Sequence, residues 1–184
     1  KDVRQRRQVI LMSIEKCKSA ALRYVSLRLR SQGQVEDYLI RKEFDSEEIE
    51  IVLSFLREYR YVDDQYFCIS YYKEGCRKGR GLRRIEQELE RRKVPRSVIR
   101  ETLDEFLSDE NPDYQDIRDD LLTEKERALK AARKMAENHV SEGRRTDKNF
   151  MAKVGRRLIS LGYGSDIIYG VIGILMKEYP MTRD

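Results

Sequence analysis

The sequence predicts an all-α protein of three tandem three-helix repeats, each helix–turn–helix-like, stacked into an elongated, curved array. Three observations lead there. Apolar residues recur at fixed offsets in three windows of the chain. Glycine and proline are scarce, at ten and three of 184 residues, and 39% of residues are charged against 40% hydrophobic. So little Gly and Pro argues against a turn-rich sandwich or barrel. Charge well above the ~25% of an average domain, without a low-complexity polar tract, points to helices with solvated faces. Small cores per unit then require the units to pack on one another.

The repeat has a register. Leu39, Leu89 and Leu158 anchor it, and four residues earlier stand Val35, Ile85 and Val154. Five residues later come Phe44, Val94 and Tyr163. Further on lie Ile49, Ile99 and Ile168, then Leu53, Leu103 and Ile172, then Leu56, Phe106 and Leu175. The spacing of four marks one face of a helix, and the three later positions mark the face of a second. A tight corner between them carries the Phe44, Val94 or Tyr163 plug. A pattern shared by three windows is read as an internal repeat.

Each element follows. Residues 1–18 read as a leading helix or tail. The first repeat spans 19–62, opening with a helix over Ser19–Arg30 that turns Leu22, Val25 and Leu29 inward. The second spans 63–107 and opens at Asp63–Gly75, with Tyr66, Phe67, Ile69 and Tyr71 or Tyr72 inward. An acidic linker over 108–120 follows. The third repeat, 121–184, opens with a helix over roughly Leu121–Val140 that buries Ala128, Ala131, Ala132 and Met135. Ser46, Pro95-Arg96-Ser97 and Gly164-Ser165-Asp166 supply helix starts, because Ser and Asp cap exposed N–H groups and Pro suits a first turn.

Net charge is only +5, but its distribution is uneven. Between Arg77 and Arg100 ten Lys or Arg face three Glu; between Ser108 and Asp120 six acids face Arg118 alone. A basic segment of this kind suits an anionic partner. The candidate contact residues are Arg77, Lys78, Arg80, Arg83, Arg84, Arg91 and Arg92 around the second repeat, and Arg144, Arg145, Lys148, Lys153, Arg156 and Arg157 in the third. Arg84 and Arg91, seven apart, share one exposed side of the helix whose inner face holds Ile85 and Leu89; Arg80 and Arg83 share another.

No constellation points to catalysis. Asp63-Asp64 is read as a helix cap with a first-turn acid facing the helix dipole. Gly75–Gly81 lacks the Gly-x-x-x-x-Gly-Lys-Ser/Thr order and a preceding strand, so it is a basic connector or a plain turn and not a phosphate loop. His139, the only histidine, has no Cys or His at ligand spacing, so no metal or other cofactor is expected. Cys17, Cys68 and Cys76 have neither metal nor disulfide-framework spacing and suit reduced thiols in the cytoplasm. The longest apolar run, Ile167–Met176, is too short and glycine-interrupted for a bilayer, so no membrane is expected as partner. No signal-peptide pattern is legible, although the sequence opens on Lys1.

The run Tyr61-Val62-Asp63-Asp64-Gln65-Tyr66-Phe67, with Tyr71-Tyr72, Lys78-Gly79, Arg84-Ile85-Glu86-Gln87-Glu88-Leu89, Val94 and Ile99, resembles the central motif of the RecX family. Upstream, Ala21-Leu22-Arg23-Tyr24 and Arg28-Leu29-Arg30-Ser31 match the family's first repeat. The chain departs from the family at Arg60-Tyr61-Val62, where a glycine often precedes the aspartates, and at the corners Lys42-Glu43 and Arg92-Lys93, where Lys-Gly is usual. The resemblance implies a cytoplasmic, non-enzymatic regulator that binds RecA and the RecA–single-stranded DNA filament. It implies inhibition of recombinase, ATPase and coprotease activities, and so modulation of DNA repair and the SOS response. Two other readings stay open: a helical-repeat DNA-binding module without enzyme activity, and an adaptor for another protein. Weak non-specific DNA binding fits the basic residues.

Overall fold

The computed structural model describes residues 2–108 and 123–180. Among these lie nine helices: α1 (Asp2–Ser26), α2 (Gln32–Ile40), α3 (Ser46–Glu58), α4 (Asp64–Arg77), α5 (Leu82–Arg91), α6 (Arg96–Leu107), α7 (Glu124–Ser141), α8 (Lys148–Leu161) and α9 (Ser165–Glu178). They form the three groups of three that the register predicts. The expected acidic linker lies outside the described residues beyond Ser108, as do Leu121 and Leu122.

Every register position is buried save Phe44, Leu103 and Ile172, which are half-buried. The corner is built the same way three times. Four residues after each anchor the backbone turns left-handed, at Glu43 (φ 64°), Lys93 (φ 62°) and Gly162 (φ 90°). The next N–H, of Phe44, Val94 or Tyr163, then returns to the anchor carbonyl at 3.3, 3.2 and 3.2 Å. This satisfies a carbonyl that the helix end would orphan and drives the plug residue inward.

Two compact units emerge, Lys1–Ile69 with Leu89–Thr102, and Ser70–Glu88 with Leu103–Asp184. In the first, α1 packs on α2 and α3 around Cys17, Ala21, Val35, Leu39, Val52, Leu53 and Leu56. Each fully buried Leu or Val contributes roughly 1.5–3 kcal/mol against leaving it in water. α2 starts on a complete capping box between Ser31 and Gln34, and α3 on one between Asp45 and Glu48, a residue earlier than the expected start at Ser46. In the second unit α7 packs on α8 and α9 around Ala128, Ala132, Ala136, Val154, Leu158, Val171 and Leu175. Small alanines let α7 approach closely, and an Arg133–Glu178 ion pair ties it to α9.

Several expected faces shift. The leading residues and the first helix of repeat one are a single helix, because Gln, Arg, Leu, Met, Glu and Lys all favour helix. That helix ends at Ser26, so Leu29 falls past it and is 44% exposed. Tyr66 is also exposed, because the inward stripe of α4 runs through Phe67, Cys68, Ile69, Tyr72 and Cys76.

Within each unit the same joint recurs between the start of one repeat's second helix and the corner of the next repeat. In the first unit the Ser31 hydroxyl donates to the Arg92 carbonyl, and Gln32 N–H donates to the Asp64 carboxylate at 2.7 Å. In the second, Gly81 N–H donates to the Leu161 carbonyl at 2.8 Å, and Leu82 N–H to the Glu124 carboxylate at 2.9 Å. Backbones touch at both joints: a Cβ on Gly33 would overlap Lys93, and one on Gly81 would overlap the Gly162 carbonyl.

Candidate functional site

The basic candidates divide into those engaged by a carboxylate and those with none in ion-pair range among the described residues. Glu88, whose side chain is 12% exposed, lies one residue before the anchor Leu89 and collects three partners. Arg80 Nη1 reaches one carboxylate oxygen at 2.6 Å, the Tyr71 hydroxyl donates to it at 2.5 Å, and Arg84 Nε reaches the other at 2.8 Å. Burial pushes the Glu88 carboxyl up, but the Arg84 and Tyr71 hydrogen bonds and the Arg80 charge outweigh it and hold it below the usual range. Arg84 also donates to the Ser160 carbonyl at 3.0 Å. Arg80 and Arg84 are therefore joint residues rather than the exposed charges their helical positions suggest, because one half-buried carboxylate draws both inward.

The remaining candidates lie on the surface to different degrees. Lys78 pairs with Glu74 at 2.6 Å and Arg144 with Glu142 at 2.7 Å; both pairs are exposed and contribute little. Arg92 is half-buried, and its carbonyl is held by Ser31. Arg77, Arg83, Arg91, Arg145, Lys148, Lys153, Arg156 and Arg157 are exposed, with no carboxylate in ion-pair range among the described residues.

Four of the third-repeat cations, Arg144, Arg145, Lys153 and Arg156, line a cleft of about 630 Å³ at the α7–α8 corner together with His139, Phe150, Asp147 and Asn149; Lys148 and Arg157 lie outside it. His139 stacks on Phe150 with centroids 4.1 Å apart, and its Nε2 lies 3.0 Å from the Arg145 carbonyl. Asp147 caps α8 through Phe150 N–H at 2.7 Å. Sequence reading found the cations but not the cleft. The signal available was His139 and Phe150 flanking a basic, glycine-bearing turn.

Asp63 caps α4, accepting Tyr66 N–H at 2.9 Å. Asp64 does more than face the dipole. Its carboxylate accepts Gln32 N–H, and burial raises its pKa against the lowering effect of that bond. The basic Gly75–Gly81 segment is a packed junction, with Gly79 left-handed and its carbonyl accepting the Tyr163 hydroxyl at 2.8 Å. All three cysteines are free and buried; burial pushes the Cys17 thiol up to about 11 and Cys68 to about 12. Among the described residues no cluster of three His, Cys, Asp or Glu could hold a metal, and no helix is long and apolar enough to cross a membrane.

Repeated three-helix units with shielded thiols and free surface cations make a helical-repeat binding protein, whose chemistry is recognition. Residues 17–56 match the family profile described as RecX, first three-helix domain, and residues 63–103 match RecX, second three-helix domain. Regulatory protein RecX of Clostridium botulinum is 33% identical over 160 residues, covering 87% of this chain and 68% of that protein. Its counterpart in Clostridium tetani is 30% identical over 161 residues, covering 88% of this chain and 68% of that protein. A crystal structure of RecX from Lactobacillus salivarius has the same fold, with TM-score 0.72 and 21% identity over 90% of this chain and 97% of that one. The chain belongs to the RecX family, non-enzymatic regulatory proteins whose partner is RecA and whose action is to inhibit it.

Proposed function

We propose that this chain meets the RecA–single-stranded DNA filament in the cytoplasm through cations that have no carboxylate in ion-pair range among the described residues. These are Arg77, Arg83 and Arg91 of the second repeat with Arg145, Lys148, Lys153, Arg156 and Arg157 of the third. The observation carrying this reading is the division itself. Glu88 engages Arg80 and Arg84 and offsets one of their two charges, whereas the exposed residues have no carboxylate in ion-pair range among the described residues. Single exposed charges bind weakly, but several fixed on packed helices act at high effective concentration. Inhibition of recombinase, ATPase and coprotease activities follows if such contacts hold the filament in one state, and it modulates DNA repair and the SOS response.

The test is RecA ATPase on single-stranded DNA. Wild-type protein is expected to inhibit it, with inhibition falling steeply as salt rises. Reversing Arg83, Arg91 and Arg157 to Glu is expected to raise the concentration for half-inhibition about tenfold, at ~1.4 kcal/mol of lost contact. Equal inhibition by that variant would show that the free cations are not the contact surface. The reading of the chain as a DNA-binding module with no effect on RecA predicts oligonucleotide binding without ATPase inhibition.

A further inference from the structure

We infer that the turn between α1 and α2 is a docking point for the protein partner, where Arg30 receives one aspartate or glutamate side chain and Leu27 supplies apolar contact. This rests on the reading above only in taking RecA as that partner; neither residue is among the cations named there.

The internal repeat singles out Arg30. Nine residues before the anchors Leu39 and Leu89 stand Arg30 and Arg80, and one residue before them stand Tyr38 and Glu88. In the second repeat Arg80 meets the Glu88 carboxylate at 2.6 Å. In the first repeat Tyr38 takes the place of the acid, and its ring stacks on Tyr24 with centroids 4.1 Å apart and planes 3° from parallel. The Arg30 guanidinium lies over the Tyr24 ring, 4.0 Å from its centroid. The arginine is thus present in both repeats, but its carboxylate only in the second. No carboxylate lies in ion-pair range of Arg30 among the described residues. The third repeat holds Asn149 and Arg157 at these positions, so the pair does not recur there.

Burial makes the missing partner count. Arg30 is 9% exposed, and its Nε is enclosed with no hydrogen-bond partner, whereas neither terminal nitrogen is so enclosed. Burial pushes the guanidinium below its ordinary value; Tyr24 opposes this and the neighbouring Arg28 adds to it. A buried cation without a counter-charge is unfavourable, and an oxygen anion on its donors relieves that cost. The Tyr24 ring covers one face of the guanidinium and holds its planar fork ready for a carboxylate.

The setting suits a protein side chain better than a phosphodiester strand. One recessed guanidinium matches one carboxylate, whereas a strand brings a phosphate every ~3.4 Å and calls for a line of cations. The turn has only Arg28 as a further cation, and it shows apolar surface at Leu27, 75% exposed, and Leu29, 44% exposed. Arginine beside apolar contact area is the composition on which protein interfaces concentrate their energy.

The experiment measures binding of the full chain to RecA without DNA by biolayer interferometry, beside fluorescence anisotropy of a labelled oligothymidylate. The variants are Arg30→Gln, Arg30→Lys and Leu27→Ser, with Arg41→Gln, at an exposed cation of the same unit, as control. Arg30→Gln is expected to bind RecA at least about tenfold more weakly than the control, because it removes one partner of a charged pair. Arg30→Lys keeps the charge without the fork and is expected to lie between them. Leu27→Ser disturbs no core and is expected to weaken RecA binding at least about threefold. Oligothymidylate binding is expected to match the control throughout, and thermal melting compares the folds. RecA binding by Arg30→Gln equal to the control overturns the proposal, with or without a lower melting temperature. So does a loss of oligothymidylate binding while RecA binding holds, which would assign Arg30 to nucleic acid. If Arg30→Gln does not fold, Leu27→Ser decides, and RecA binding equal to the control overturns the proposal there too. Equal inhibition by wild type and by the Arg83, Arg91 and Arg157 reversal would remove the wider reading while these comparisons still decide Arg30.

Discussion

The Asp64 carboxylate accepts the backbone N–H of Gln32 from 32 residues away, at 2.7 Å, and Glu124 does the same for Leu82 at 2.9 Å. In both cases the acid is the first residue of one repeat's opening helix, and the N–H belongs to the first residue of the preceding repeat's second helix. A helix N-terminus exposes orphan donors and partial positive charge, so a carboxylate is its natural complement. Here the complement comes from the next repeat, and one contact caps a helix while fixing how repeats meet.

Removing either acid should therefore cost more than an ordinary surface change. Asp64→Ala and Glu124→Ala are expected to lower unfolding stability by about 1–3 kcal/mol each, the cost of stranding a part-buried donor. Asp64→Asn keeps an acceptor oxygen without the buried charge and should not be destabilised. Urea denaturation with unchanged slope and a shifted midpoint would support this; a midpoint for Asp64→Ala equal to wild type would contradict it.

Glu88 and Asp64 should respond to pH in opposite senses. The folded Glu88 carboxyl sits below its ordinary value, so its contribution is present above about pH 4.3, the unfolded value, and is lost as pH falls through the folded one. Glu88→Gln is expected to cost about 1–3 kcal/mol at neutral pH and almost nothing in strong acid. Asp64 is raised by burial, so stability is lost as pH rises from about 3.9 through its folded value. Stability–pH curves of Asp64→Asn and wild type should therefore converge in acid and separate above it. Parallel curves for either variant would refute its part.

The corners provide a backbone test. Glu43 and Lys93 hold left-handed backbone that costs a side chain roughly 1–2 kcal/mol, while Gly162 holds the third without that cost. Glu43→Gly should stabilise the protein by up to about 1 kcal/mol, reduced by the extra freedom of unfolded glycine. Gly162→Ala should destabilise it by more, because the new methyl would also overlap Arg84. Thermal melting checks both, and a melting temperature for Gly162→Ala at or above wild type would overturn the corner argument.

The register was legible because helical geometry forces buried positions to recur: Leu39, Leu89 and Leu158 are all fully buried, and the corner after each is built alike. The joints were not legible. Periodicity reports which face of a helix is inward, but not which backbone N–H a carboxylate 32 or 42 residues away will meet. Comparing Asp63-Asp64 with Thr123-Glu124, each a cap followed by an acid, was the available hint. Arg84 shows the same limit. Its spacing from Glu88 permits an i,i+4 pair, but the pull on Arg80 and Tyr71 depends on Glu88 being half-buried. Residues 1–18 read only as a leading helix or tail, and Val9–Met12, consecutive apolar residues that define no single face, are all exposed in the structure.

The thiols give a last test, one that reads the cores separately. Cys17 sits in the first unit's core with its pKa pushed to about 11, and Cys68 is pushed to about 12, in both cases mainly by burial. Cys76 is raised for the same reason. Only the thiolate attacks a disulfide reagent, and all three side chains are shielded, so modification must wait for local or global opening. At pH 8 the native chain should react with an aromatic disulfide reagent orders of magnitude more slowly than the same chain in denaturant, where all three thiols return to an ordinary value near 8.5. If opening is by unit, Asp64→Ala should accelerate Cys68 more than Cys76, because Asp64 and Cys68 lie in the first unit and Cys76 in the second. Equal acceleration of both, followed by mass spectrometry of the modified peptides, would show that the two units open as one.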